Sequence, residues 1–258
     1  MEMFAFLAVV VVALASTTVG ARLLLVSRRT RGFPEFVMGL SLAAITGIGF
    51  PIVLLTELRQ TIGPLLTFAA DFIGSFAVAT GFAGFYVFTW RVFRPGSRWA
   101  AALTMLGSGA ALMATAATVW LAFGIESNEE KFRVVRAWEI LLFTSAAAGF
   151  LWSAVEAFRY HAMLRRRLAL GLAEAIVTNR VLLWGLTGVS AGGALVVIIL
   201  LRLMDVNYMS APVVLFTAAA CGFLGSVCLY LAFLPPAAYL RWLDRSAPSP
   251  DGTASTGS

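Results

Sequence analysis

Two carboxylates sit where ionisation is costly. Asp71, in FAADFIGSF, and Glu139, in RAWEILLF, each fall inside an apolar run. Asp71 has no base close by in the sequence. It therefore meets a hydroxyl of another helix, holds a proton, or lines a pocket, and acids at such depth mark binding or proton-handling sites. Arg136 precedes Glu139 by three residues, on the same helical face, so an ion pair between them is the plain expectation. If both acids face one cavity, its ligand is a cation, an amine or a proton. A further pair, Glu156 with Arg180, is expected where two later helices meet, either latching a gate or acting as static glue.

Several chemistries are excluded by count. Lys131 is the one lysine and lies between apolar runs, so no retinal Schiff base forms in the last of them. His161 is the one histidine, which rules out paired-histidine haem and multi-histidine zinc hydrolysis. Cys221 and Cys228 stand seven residues apart on one run, about 10 Å along a helix axis. Disulfides need Cα atoms within about 7 Å, so both are expected as free packing thiols. Neither a cofactor nor enzymatic activity is expected.

The elements that must position these residues are membrane spans. The chain has 258 residues, 60% of them hydrophobic and 12% charged, against about 25% charged in soluble domains. Its mean hydropathy is +0.89. A span needs about 20 apolar residues, and seven such runs are present, near 3–21, 36–56, 64–90, 99–123, 137–158, 181–201 and 211–234. Backbone amides in lipid must bond within their own segment, so the fold class is all-α. The first run follows MEM, which lacks positive charge, and reads as a span rather than a cleaved leader. Residues 1–245 form one bundle, and 246–258 read as a disordered polar tail.

Lysine and arginine set orientation. Fourteen fall on one side, in the stretches holding Arg28, Arg94, Arg165 and Arg241, and five on the other. This predicts the N-terminus outside, the C-terminus in the cytoplasm, and an inner face attractive to anionic lipid. The outer side carries the acids Glu126, Glu129 and Glu130. Trp90, Trp99, Trp120 and Trp138 fall at run ends, as interfacial belts require, whereas Trp152 and Trp184 lie deeper and read as packing residues. The net charge of +6 belongs to this topology and not to nucleic-acid binding. Segment 159–175 continues the fifth helix with one charged side, to anchor topology, lie on headgroups or dock a partner.

Glycines give the second structural signal. Gly188 with Gly192, Gly81 with Gly84, and Gly107 with Gly109 offer small surfaces for close helix approach. Gly47, Gly49 and Pro51 fall together in the second run, where proline removes a backbone bond and bends the helix, as a hinge or as a fixed fit. Two phrases also align, RRTRGFPE (28–35) and RLALGLAE (167–174). They admit two readings: a parallel 3+1+3 repeat joined by the fourth helix, or local helix-start chemistry of Pro34 and Glu35.

Seven helices with a 3+1+3 pattern resemble, in topology, the broad grouping of SWEET-type transporters, rhodopsins and G-protein-coupled receptors. LRRRLALGLAEAIVTNRVLLWG is similar to uncharacterised bacterial seven-helix membrane proteins, which implies a bacterial inner membrane and no particular mechanism. LPPAAY (234–239) resembles a receptor proline–tyrosine ending without its asparagine. The leading functional expectation is a receptor-like sensor, with an outer pocket at Asp71 and Glu139 and a basic output face toward a protein partner. A small-molecule or proton-coupled transporter and a non-enzymatic subunit of a membrane complex are its rivals.

A reporter fused after Ser258 should fluoresce as green fluorescent protein and stay inactive as alkaline phosphatase. The opposite pattern would reverse the orientation.

Overall fold

The computed structural model describes residues 2–55, 63–125, 127–206 and 212–246. Among these the chain is all-helical. The helices are α1 (Glu2–Thr30), α2 (Phe33–Leu42, continued through the π-helical Ala43–Gly49 into Phe50–Leu55), α3 (Pro64–Phe93), α4 (Arg98–Ala122), α5 (Asn128–Ala169), α6 (Ala175–Leu203), α7 (Pro212–Phe233) and α8 (Ala237–Ser246). The first seven are long and apolar enough to span a membrane. Arg59, Glu126 and the tail from 247 onward lie outside the described residues.

The helices outrun the apolar segments that announce them. α5 is 42 residues long and continues through Arg165, Arg166 and Arg167. An apolar run measures the bilayer, whereas a helix continues into water as long as its residues are good helix formers, as arginine and leucine are. Ser127 caps the start of α5 by accepting from the Glu130 backbone N–H, and Glu129 and Glu130 fill its first turn, where the helix dipole favours acids.

The two aligned phrases hold different backbone positions. Gly32 is the N-cap of α2 with φ −73°, and Pro34 and Glu35 lie in the first turn that follows. Glu35 folds back so closely that a Cβ on residue 32 would collide with its carboxylate. Gly171 instead has φ +70°. It follows the end of α5, donating to the Leu168 carbonyl at 3.0 Å while Leu172 donates to Arg167 at 2.8 Å, a Schellman closure. Glu174 is then the N-cap of α6. The two aligned glycines thus hold different local roles, Gly32 as the N-cap of α2 and Gly171 as the left-handed residue that follows α5.

Each spanning helix packs on its sequence neighbours, α1 also meets α7, and α3 touches α5 directly. The result is a ring closed in chain order. Its core draws Val19 and Leu23 from α1, Met38 from α2, Phe82 and Phe85 from α3, Phe150 from α5, Trp184 from α6 and Leu229 from α7. Trp184 stacks on Phe85 at 5.8 Å and donates to the Ser153 hydroxyl at 3.0 Å, which confirms it as a packing residue. α4 adds nothing to this cluster. It leans on the outside through a narrow face that includes Ala100, Thr104, Ala111 and Thr115.

Backbones approach closely where glycine allows it. Gly188 stands 2.8 Å, measured from an added Cβ, from the Phe150 carbonyl oxygen on α5. Gly49 and Gly74 bring α2 and α3 together in the same way, each about 3 Å from the other's carbonyl oxygen. Pro51 lacks an N–H, and just before it the ladder loosens, so that Phe50 donates to Ile45, five residues back. The bend expected at Gly47, Gly49 and Pro51 is thus a π-helical stretch.

Gly188→Val should lower the thermal midpoint of the purified protein by several degrees. Its obstacle is backbone that cannot rotate away, and overpacking costs roughly 1–3 kcal/mol. An unchanged midpoint would show that α5 and α6 do not meet there.

Candidate functional site

The charged side chains gather at the two ends of the bundle, and the expected pairs are exchanged for others. At the end opposite the arginine-rich one, Glu139 on α5 pairs with Arg202 in the last turn of α6. The Arg202 side chain is only 3% exposed, and its guanidinium lies 3.6 Å from the centroid of the Phe132 ring. Burying one charge needs both a partner and a polarisable cover, and the carboxylate and the ring supply them.

Arg136, expected to pair with Glu139, is taken elsewhere. Its Nε donates to the Arg202 carbonyl at 2.9 Å and its Nη2 to the Leu203 carbonyl at 2.8 Å, while Nη1 lies 3.0 Å from Asp205 Oδ1. The last carbonyls of a helix have no partner within it and carry its negative dipole end, so a fork of cationic donors satisfies them well. α6 itself closes in a second Schellman turn, with Val206 donating to Leu201 at 2.9 Å and Asp205 at φ +62°. Asparagine and aspartate tolerate this left-handed position better than most side chains.

Asp71 also has a base, supplied by another helix. Lys131 Nζ, in the first turns of α5, reaches Asp71 Oδ2 at 3.5 Å. The two acids expected to share one cavity therefore answer to different helices, Asp71 to α5 and Glu139 to α6. An apolar groove of about 640 Å³ lies between α3 and α4, and Phe68, Phe72, Met113 and Trp120 are among its walls. Neither acid lines it.

At the arginine-rich end, Glu156 is buried and pairs with Arg94, just beyond α3. Nε meets Oε1 and Nη2 meets Oε2, both at 2.9 Å, the two-pronged geometry that fits guanidinium to carboxylate. The hydrogen bond to Glu156, then its charge, pushes the Arg94 pKa up from its ordinary value. Arg159, one turn on, adds a contact at 3.6 Å. Arg180, the expected partner, is exposed to solvent. Asn179 beside it turns to α8 and donates to the Tyr239 hydroxyl at 2.8 Å. His161 Nδ1 lies 2.9 Å from the Thr178 carbonyl, which ties α5 to the start of α6.

Sequence reading missed Arg202, Arg94 and the docking of α8. Arg202 is one of the five basic residues assigned to the less basic side, although it directly follows the apolar run 181–201 and is helical. Glu156 and Arg94 are 62 positions apart, and no local spacing joins them.

Replacing Arg202 by Met should cost about 3 kcal/mol of stability, because Glu139, 18% exposed, loses the partner of its charge in a largely desolvated place. Glu139→Leu alone should cost a similar amount. The double substitution should recover most of the loss, read as thermal or denaturant midpoints. Additive losses would mean that the two side chains are independent.

No protein-family model matches this chain, and no curated protein or solved structure matches it.

Proposed function

We propose that this chain is a non-catalytic subunit of a membrane assembly, joined to a neighbouring transmembrane helix along α4. One observation carries the reading. Gly109, in the middle of α4, has nothing within 4 Å of the position a Cβ would take. It lies in a seam formed by Ala102, Leu106, Gly109, Met113, Ala116 and Trp120, all exposed. The steps along this seam alternate four and three residues, and small side chains alternate with large. That is the repeat of a helix that receives the side chains of another helix.

Glycine inside a helix costs roughly 0.5–1 kcal/mol relative to alanine, and no described residue of the chain uses the space that Gly109 opens. Fluid lipid chains need no such register. The groove between α3 and α4 shares Met113, Ala116 and Trp120 with the seam, which gives a large side chain of the neighbour a seat. The peripheral place of α4 supports the same reading, since it adds nothing to the central core.

A receptor-like sensor is the second reading. It rests on the Asp71–Lys131 pair, whose side chains are 23% and 32% exposed at a loose 3.5 Å, a contact that an amine ligand can enter. The transporter reading, the bacterial inner membrane and the orientation stay expectations of sequence. The π-helical stretch of α2 is the feature that favours movement, because such stretches recur at functional sites.

A photoactivatable benzoylphenylalanine at position 116, which inserts into C–H bonds of whatever it touches, should on irradiation in native membranes give a cross-linked adduct, of twice the chain's mass for a second copy or another mass for a different subunit. Gly109→Ile should abolish the adduct without moving the thermal midpoint. Absence of any adduct would defeat the reading.

A further inference from the structure

We infer that α8 is a membrane-surface helix, seated in the headgroup layer at the arginine-rich end and held there by anionic lipid. The sequence AAYLRWLDRS places Tyr239, Leu240, Trp242 and Leu243 on one side of a helix and Arg241 on the other, at 100° per residue. Among the described residues, none of the long helices is so two-sided. The membrane-spanning parts of α1 to α7 are apolar nearly all round, as spans are; α8 has the opposite character, with a sharp apolar face and a low overall hydrophobicity. That combination distinguishes a helix lying on a bilayer from one crossing it.

The occupant of the apolar face follows from where α8 begins. Three residues, Leu234, Pro235 and Pro236, separate its first residue from Phe233, the last of α7. Residue 234 still donates back to Tyr230 at 2.7 Å, and the new helix opens with Tyr239 and Leu240 donating to Pro236. The turn is therefore tight, and α8 cannot leave the surface at which α7 ends. The bundle covers one part of its face: Tyr239 packs against the cluster of Leu183, Cys228 and Ala232, and its hydroxyl accepts from Asn179. Trp242 stacks on Tyr239 at 5.8 Å and yet remains 58% exposed. An exposed indole beside a membrane end, on the apolar side of a surface helix, belongs at the interface where tryptophan is enriched.

Charge selects the lipid. Arg241 lies on the polar side of α8, and Arg245 follows it by four residues. Arg159, Arg165, Arg166 and Arg167 crowd the same end of the bundle. Each basic residue near an anionic surface contributes about 1 kcal/mol of attraction. A zwitterionic surface offers the indole its depth but gives the arginines no counter-charge, so anionic lipid should hold the helix more firmly.

The test is a nitroxide scan of the full chain in nanodiscs. Cys221 and Cys228 are replaced by Ala, and single cysteines are placed at 240, 241, 242 and 243. In nanodiscs containing phosphatidylglycerol, label 242 should be reached by oxygen and shielded from a water-soluble nickel complex, with label 241 reversed. In pure phosphatidylcholine the contrast between 241 and 242 should shrink several-fold. Three outcomes overturn the inference. Label 242 open to nickel in both lipids would put α8 in water. Label 242 closed to both reagents would mean that protein covers it. A contrast independent of phosphatidylglycerol would remove the charge selection. Arg241→Gln with Arg245→Gln should imitate the pure phosphatidylcholine result while leaving the thermal midpoint in detergent unchanged; a contrast unaffected by these substitutions would also count against it.

Discussion

Inside a bilayer a polar side chain has no water to bond, and this constraint arranges the whole molecule. Hydroxyls in the spans turn back on their own helices. Thr18, Ser41, Thr46, Thr89, Thr104, Thr115, Thr187 and Ser226 each donate to the carbonyl four residues earlier. Such bonds satisfy the hydroxyl within its own helix. Of these eight, only Thr46, Thr104 and Thr187 add a contact to a neighbour, with Thr17, the Tyr86 carbonyl and the Gly225 carbonyl. Association then falls to shape, because lipid is as apolar as leucine and gives helices no hydrophobic reason to meet. This explains why glycine marks so many contacts. Gly81 and Gly84 admit Ser41 and Ile45, Gly192 admits Leu151, and Gly107 and Gly149 close on the two sides of the Tyr86 ring. Tyr86 reaches further across: its hydroxyl donates to the Ser145 carbonyl at 2.6 Å, so one buried phenol joins α3, α4 and α5.

The spans were legible because their cause is local. Twenty apolar residues are a property of one segment, and so are the proline at the start of α2 and the glycine at the end of α5. The small-residue contacts were half legible. Gly107 and Gly109 look alike in sequence, but one is filled by Tyr86 and the other faces away from the bundle. Which side of a helix points inward depends on all its neighbours together, and a two-residue motif does not carry that information. α8 was hidden for a different reason. A ten-residue amphipathic helix following a long apolar run reads as the frayed end of that run until Pro235 and Pro236 are recognised as a break.

The charge pairs were misassigned for a reason of energy. Within one helix Arg136 and Glu139 are neighbours, and on an exposed surface that pairing stabilises by a few tenths of a kcal/mol. Near the end of α6 a larger demand competes. There one guanidinium bonds the carbonyls of Arg202 and Leu203 and pairs with Asp205, and a hydrogen bond from a charged donor contributes roughly 1.5–3 kcal/mol. Arg136 is thus engaged, and Glu139 is released to neutralise Arg202, which its helix has carried into the protein. Sequence spacing ranks the weaker interaction first because the stronger one is made only after the helices assemble. The same holds for Glu156, which takes Arg94 from a neighbouring helix end although Arg159 lies on its own.

α4 and α8 stand apart from this scheme, and for related reasons. α3 and α5 touch directly, so the ring of buried aromatic side chains closes without α4. The inner face of α4 is built from alanine and threonine, which bury little area, while its larger side chains Met105, Leu106, Met113 and Trp120 point away. A helix arranged to hold the fold would put those residues the other way round. α8 likewise keeps its tyrosine on the bundle and leaves its tryptophan outside. Both elements spend little apolar surface inside the protein, and the surface they leave out is patterned, in a seam on α4 and in a single face on α8. Apolar pattern on a surface that the described residues leave exposed is the mark of contact with something beyond the chain: a helix for α4, which lies in the span, and lipid headgroups for α8, which does not.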